Sequence, residues 1–169
     1  MGCMNKIHKF SIAGMCLFSI VTGNVFASNS TVSVGYARGD FQGVVNGAEG
    51  FNVKFRHDNA NSAWGVIGSF MYLEHTGTNN SIYSKEKYGS VSAGSSFCLN
   101  DWLSIYGLLG VGAGSRELTQ TGSLRYGLNY GVGIQVNSVS ELALDIGYEN
   151  SRIDSVDVGS WMIGIGYRY

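Results

Sequence analysis

The chain ends with the stretch Trp161-Met162-Ile163-Gly164-Ile165-Gly166-Tyr167-Arg168-Tyr169, in which large apolar and aromatic residues occupy every second position. The residues between them are a methionine, two glycines and an arginine. Alternate side chains of a β-strand point to opposite faces, so this stretch predicts a strand with one apolar face and one small or polar face. Such a strand, ending on an aromatic residue, is typical of the closing strand of an outer-membrane barrel, whose apolar face contacts lipid.

The N-terminal residues have the composition of a secretory signal. Lys6 and Lys9 precede a mostly apolar run from Phe10 to Val21. After this run, Val25-Phe26-Ala27 fits the small-residue rule for signal-peptide cleavage. The apolar run is shorter than the roughly 20 residues that a membrane-spanning helix needs. We therefore expect residues 1–27 to be a cleaved signal peptide and residues 28–169 to form one domain.

From residue 28 onward the sequence divides into about eight alternating segments, the smallest even number of strands that bacterial barrels use. The clearest segment is 124–136, where apolar or aromatic residues alternate with small or polar ones. The chain contains no proline, which suits strands that are hydrogen-bonded on both sides. The predicted fold is an all-β, eight-stranded, antiparallel up-and-down transmembrane β-barrel.

Charged residues within the predicted strands lie on the face opposite the apolar one. A lysine or arginine on the lipid face at mid-membrane costs about 2–4 kcal/mol, whereas charges inside the barrel can pair with one another. A soluble barrel would show the reverse arrangement. The residues predicted to form a polar network in the lumen are Lys54, Arg56, Arg125, Asp145, Glu149 and Arg168. Eight strands enclose a space that side chains can fill, so we expect a packed lumen, with a narrow ion pore as the alternative.

An even number of strands places both termini in the periplasm. Short connections rich in Asn, Asp and Ser are predicted on that side at 58–62, 100–101 and 137–140. Outward-facing loops are predicted at 39–49, 75–86, 117–123 and 154–157. The residues of the first two outer loops that we expect to contact a partner are Phe41, Val44, Val45, Ile82, Tyr83, Lys85 and Lys87.

The sequence offers little for catalysis or for metal binding. After the predicted cleavage the remaining histidines are His57 and His75, which the connectivity places at opposite ends of the barrel. No metal-ligand or phosphate-loop spacing is present. Cys98, the single mature cysteine, is expected to be a small buried or interfacial hydrophobe. We therefore predict no enzyme activity and no cofactor. The formal net charge of −1 does not indicate binding to nucleic acid.

Several segments, in order along the chain, resemble the Ail/OmpX (Ail/Lom) family of small outer-membrane proteins. They are GFNVKFR at 50–56, GVIGSF at 65–70, NDWLSIYG at 100–107, YENSRIDSVDVGSW at 148–161 and GIGYRY at 164–169. The resemblance implies a barrel in the outer membrane of a Gram-negative bacterium, with outer strands that project beyond the bilayer. It also implies a virulence role in adhesion to host cells, entry into them and resistance to complement. Two features depart from the family pattern: Tyr169 closes the chain where phenylalanine is usual, and the third outer loop is short.

Two functional hypotheses follow. The first is a monomeric surface protein, surrounded by outer-membrane lipid and lipopolysaccharide. Its outer loops and projecting strand edges would bind host cell-surface, matrix or complement-regulatory proteins. The alternative is a structural barrel that maintains the outer membrane without a dedicated ligand. The two differ in whether the outer loops can be replaced without loss of function.

Overall fold

A computed structural model of the chain describes residues 30–41, 45–59, 61–79, 82–118, 121–139, 141–153 and 156–169. The strands are β1 (Ser30–Phe41), β2 (Val45–Asp58), β3 (Trp64–Asn79), β4 (Ile82–Asn100), β5 (Leu103–Leu118), β6 (Thr121–Val139), β7 (Leu142–Ile153) and β8 (Val156–Arg168). Consecutive strands pair antiparallel, and β1 pairs with β8 to close the barrel. The predicted eight-stranded up-and-down barrel is confirmed. The predicted signal peptide at 1–27 lies outside the described residues.

No helix among the described residues is long and apolar enough to cross a membrane.

The outer surface of the barrel carries a continuous band of exposed apolar side chains. In β8, Trp161, Ile163 and Ile165 are exposed and Met162 is buried, as the alternation of the terminal stretch predicted. On β5, Leu109 is 66% exposed near the middle of this band. A contiguous apolar surface of this size is not stable in water, so lipid is the solvent for this face.

The two ends of the described chain meet at one end of the barrel. The backbone N–H of Ser30 donates to the carbonyl of Tyr169, and the N–H of Tyr169 donates back to the carbonyl of Ser30, each at 2.9 Å. The short connections β2–β3, β4–β5 and β6–β7 lie at this same end, at or next to the positions predicted for the periplasmic turns. In the first of them, the N–H of Ser62 donates to the carbonyl of Asn59 at 3.2 Å.

The outer connections are much shorter than the sequence predicted. β1 and β2 stay paired as far as Phe41 and Val45, and β3 and β4 as far as Asn79 and Ile82. Likewise, β5 and β6 are paired to the end of the third hairpin. The predicted loops at 39–49, 75–86 and 117–123 were therefore wrong over most of their length. Strands are held together by backbone hydrogen bonds, which form whether the side chains are polar or apolar. Outside the bilayer, polar residues on both faces therefore do not end the strands.

An apolar layer crosses the interior at the outer end of the barrel, and we call it the cap. Its members are Ala37, Ala48, Met71, Leu73, Tyr88, Ile153, Val158 and Met162, each at most 7% exposed. In this region the outward-facing neighbours Arg38 and Glu49 are exposed to solvent. The usual water-soluble pattern, apolar inside and charged outside, therefore replaces the membrane pattern where the strands leave the bilayer.

β5 and β6 contribute glycines rather than side chains to the cap. A Cβ added at Gly127 would lie 2.8 Å from Cγ1 of Ile153, and one added at Gly114 would lie 3.3 Å from its Cδ1. At Gly112 a Cβ would lie 2.9 Å from Cε2 of Tyr88. These glycines leave the space that Ile153 and Tyr88 fill, so residues from all eight strands close the interior.

Candidate functional site

The polar lumen lies on the periplasmic side of the cap, and its central contact joins β2 to β7. Nζ of Lys54 forms an ion pair with Oδ1 of Asp145, and both side chains are at most 3% exposed. The same Nζ donates to the hydroxyl of Tyr106 at 2.7 Å, and that hydroxyl lies 3.0 Å from Oδ1 of Asp145. Alternation along β2, β5 and β7 brings the three side chains inward at the same height.

A second cluster surrounds Arg56 nearer the periplasmic end. Nε of Arg56 donates to Oδ1 of Asp58 at 2.7 Å, and one terminal nitrogen donates to Oε1 of Gln135 at 2.8 Å. The other terminal nitrogen lies 3.0 Å from Sγ of Cys98. Cys98 is half-buried and faces the lumen, where the sulfur accepts from Arg56 and from the hydroxyl of Ser104 at 3.7 Å. The prediction that Cys98 is a small hydrophobe was therefore wrong, because its sulfur accepts hydrogen bonds within a polar cluster.

Glu149 occupies a third cluster, between the central ion pair and the cap. Its carboxylate accepts from Nδ2 of Asn129 at 2.7 Å, from Oγ of Ser69 at 3.0 Å and from Oγ of Ser90 at 3.3 Å. The residue is 1% exposed. All of these donors are neutral, which distinguishes Glu149 from Asp58 and Asp145.

The structure thus buries four of the six residues predicted for the lumen network: Lys54, Arg56, Asp145 and Glu149. Arg168 is half-buried at the last position of β8, next to the terminal ladder. Arg125 does not join them. It is exposed on the part of β6 that extends beyond β7, because β6 and β7 are paired only from Leu128 and Arg152 inward. The prediction that Arg125 lies in the lumen was therefore wrong.

Sequence reasoning missed the cap. Met71, Leu73 and Met162 were assigned to no site, because apolar residues were expected only on the lipid face. The available signal was the loss of alternation near the outer strand ends, where Tyr72 and Leu73 are adjacent apolar residues. Two adjacent apolar residues on a strand point to opposite faces, which indicates that both faces are apolar at that level.

The residues predicted to contact a partner lie on strands rather than on long loops. Phe41 and Val45 face each other across the β1–β2 ladder, and Val44 lies outside the described residues. Ile82, Tyr83, Lys85 and Lys87 belong to β4 and are opposite Asn79, Thr78, Thr76 and Glu74 of β3. Of these side chains, the structure describes Lys87, which is half-buried.

At the outer end, the strands β3 to β6 stay paired with one another beyond the ladders that join β3 to β2 and β6 to β7, and they form a sheet with two lateral edges that we call the projecting sheet. At one edge, β6 continues from residue 127 to 121 beyond the end of its ladder with β7, while its ladder with β5 extends to Leu118 and Thr121. At the other edge, β3 continues over residues 75–79 beyond its ladder with β2, which ends at Glu49 and Glu74. An edge strand of this kind presents backbone N–H and C=O groups to a further strand.

The described residues offer no evident metal or histidine site. No group of three or more His, Cys, Asp or Glu side chains within the described ranges is placed to hold a metal ion. His57, whose Nδ1 lies 3.0 Å from Oγ of Ser30, is at the end where the termini meet, and His75 is at the outer end of β3. The two histidines therefore lie in separate regions, as the connectivity predicted.

Residues 13–169 match the family model of the outer membrane protein beta-barrel domain. The chain is 44% identical to outer membrane protein X of Enterobacter cloacae, over 98% of this chain and all of that protein. It is 37% identical to the attachment invasion locus protein of Yersinia enterocolitica, again over 98% of this chain and all of the relative.

Solved structures agree with the sequence comparison. The crystal structure of Ail, the attachment invasion locus protein of Yersinia pestis, in complex with the heparin analogue sucrose octasulfate, superposes with a TM-score of 0.78. It has 36% sequence identity and covers 85% of this chain and all of that chain. The protein is therefore an outer-membrane β-barrel, and it belongs to the family that includes outer membrane protein X and the attachment invasion locus protein.

Proposed function

We propose that this protein is a surface binding module that attaches the bacterium to host cells or host proteins. The projecting sheet would take up an extended segment of the partner as an additional strand along the 121–127 edge of β6. In strand addition, main-chain hydrogen bonds supply affinity and alternate side chains supply specificity. The observation that carries the proposal is the early end of β7, whose ladder with β6 stops at Leu128 and Arg152.

The side chains at this edge support a binding role. Leu124 is 56% exposed and Tyr126 is 68% exposed, and both point to the outer face of the sheet. Exposed apolar side chains on an edge strand can give a partner contacts next to the main-chain ladder. Proteins protect edge strands with charged side chains, proline or bulges, and the sequence TGSLRYG at 121–127 contains no proline and a single charged residue, Arg125.

The family comparison supports adhesion in general terms. Relatives include proteins named for attachment and invasion, and one of them was crystallised with a heparin analogue. For this chain, sulfated sugars are the weaker candidate. The exposed guanidinium of Arg152 lies 3.6 Å from the carboxylate of Asp157, so charge of both signs occurs at the outer rim. A polyanion would meet repulsion as well as attraction there.

The test is adhesion of a non-adherent laboratory strain that displays the whole chain, measured on cultured epithelial cells. Introducing lysines at the edge, as Leu124→Lys with Tyr126→Lys, should reduce adhesion at least tenfold, since a charged edge resists strand addition. The matched control is Thr76→Lys on the opposite edge, where Thr76 is also exposed, and this variant should adhere like the unaltered protein. Surface display of each variant is measured with an epitope tag.

Three outcomes have distinct meanings. Loss of adhesion in the β6 variant alone supports the proposal. Loss in the Thr76→Lys variant alone would move the binding site to the β3 edge. A well-displayed barrel that never adheres would contradict the proposal and favour the structural alternative, a barrel without a dedicated ligand.

A further inference from the structure

A depression interrupts the apolar band on the outer surface of the barrel, where β3, β4 and β5 lie side by side. It encloses a volume of about 390 Å³, and we call it the groove. The residues that line it are Trp64, Ser95, Phe97, Ile105, Tyr106 and Gly107. None of these six residues is charged, so the groove suits an apolar occupant.

Small residues at neighbouring lipid-facing positions produce the groove. Ser95 of β4 is opposite Val66 of β3 and Gly107 of β5. Gly68 and Ala93, two residues further toward the outer end on β3 and β4, are opposite each other. A Cβ added at Gly107 would meet no atom within 4 Å, and one added at Gly68 would meet only a backbone oxygen, at 3.9 Å. The lipid-facing positions around this patch carry larger exposed side chains, which include Phe70, Val91 and Leu109.

The groove begins at the periplasmic end of the barrel. Trp64 is the first residue of β3, and its ring is edge to face with that of Phe97, with the centroids 4.9 Å apart. Aromatic residues at this end of a strand lie at the level of the lipid headgroups. Ser95 and Gly107 lie two residues further toward the outer end than Phe97 and Ile105, respectively. The groove therefore runs from the headgroup level of the periplasmic leaflet into its hydrocarbon.

Position and chemistry together identify the occupant. The groove is part of the band that contacts lipid, and a void in such a surface forfeits dispersion contacts with its lining atoms unless something fills it. A chain that lies in the groove contacts protein on more sides than a chain on the flat part of the band. We propose that the groove is a binding site for one acyl chain of a phospholipid in the periplasmic leaflet. Trp64, Phe97 and Ile105 flank the chain, and it lies over Ser95 and Gly107.

Photo-crosslinking measures which surface positions an acyl chain occupies. The whole protein is refolded in phosphatidylcholine vesicles that contain a small fraction of phosphatidylcholine with a diazirine group in one acyl chain. After irradiation and proteolysis, mass spectrometry gives the yield of lipid adducts at each residue. The reference is the pair Val34 and Ile165, which are exposed to lipid and opposite each other in the β1–β8 ladder. The yield at the groove residues should be about fivefold higher than at this pair, because a chain held on several sides stays longer.

Filling the groove separates a specific site from general contact with lipid. Gly107→Leu places an apolar side chain where the surface is open, so adducts at Trp64 and Phe97 should fall to the level found at Val34. The matched control is Val34→Leu, which also enlarges a lipid-facing residue but lies outside the groove. This control should leave the yield in the groove unchanged, and comparison of the same residues between variants removes differences in their reactivity.

The measurement on the unaltered protein is decisive even where a variant does not refold. Equal yields in the groove and at the reference pair would overturn the proposal. A lower yield in the groove would also contradict it, because the groove would then be covered by something other than lipid, such as a second copy of the chain. Adducts that persist at full yield in Gly107→Leu would place the chain elsewhere. The experiment contains no host cell, so its result is independent of the proposed adhesion.

Discussion

Lys54 is a buried charge with one counter-charge among its contacts, Asp145. It is 1% exposed, its ammonium group contacts Asp145 and Tyr106, and it crosses the lumen from β2 to β7. Desolvation of the two charges is costly, so the net contribution of the pair to stability is small. Removal of one charge, however, would leave the other buried without compensation. The lumen at this level is therefore sensitive to the loss of either member.

The prediction at this scale is that Asp145→Asn lowers the free energy of unfolding by about 3–5 kcal/mol, since it leaves the lysine ammonium buried without a counter-charge. Equilibrium unfolding in urea, followed by the fluorescence of Trp64, Trp102 and Trp161, measures the change. Lys54→Met combined with Asp145→Leu should recover most of the loss, because both charges are then gone. A double variant as unstable as the single one would show that shape rather than charge controls this layer.

At the scale of one strand, β5 shows how the bilayer constrains sequence. Its outward residues Ile105, Leu109 and Val111 are exposed and apolar, while the inward residues Ser104, Tyr106 and Leu108 are buried. We predict that Leu109→Arg, near the middle of the band, destabilises the barrel by about 2–4 kcal/mol in vesicles. Tyr167→Arg, at the periplasmic end, should cost only about 0–1 kcal/mol, because the arginine can reach the headgroups. Equal costs at both depths would show that the band is misplaced.

The cap is an element of a different kind, since it is a small hydrophobic core that stands outside the bilayer. Leu73 is 0% exposed within it, and a Cβ added at Gly39 would come within 2.6 Å of its Cδ1. Leu73→Ala should cost about 2–5 kcal/mol of unfolding free energy, as for core leucines in soluble proteins. Leu124→Ala, on the exposed outer face of β6, is the control and should change stability by less than about 0.5 kcal/mol. If both variants behave alike, the cap is not a core.

For the whole molecule, the alternation of side chains along the strands and the closure of the barrel were predictable from the sequence. The sequence also predicted that most of the charged residues within the strands face the lumen. The terminal stretch from Trp161 to Tyr169 indicates lipid on one face, and the positions of Lys54 and Asp145 on the other face place them inside. These features follow from local period-two geometry and from the cost of charge in lipid, both of which act residue by residue.

The outer part of the molecule was less predictable for a physical reason. There the medium around the strands changes from lipid to water. Within a few residues, apolar side chains change from the outer face to the inner face and charged side chains change the other way. Arg125 was assigned to the lumen by alternation alone, although the neighbouring strand β7 has already ended at that level. The length of each hairpin depends on its neighbours, and a single strand sequence does not contain that information.

The cap also makes the two ends of the lumen chemically different. Apolar side chains from six strands, together with the glycines of β5 and β6, exclude water from the extracellular end, whereas the clusters of Arg56, Cys98 and Ser104 at the other end are polar. Ions, protons and thiol reagents in the external medium therefore meet a hydrocarbon barrier, while those in the periplasm meet groups that can solvate them. A thiol reagent is therefore expected to reach Cys98 from the periplasmic end of the lumen rather than from the extracellular end.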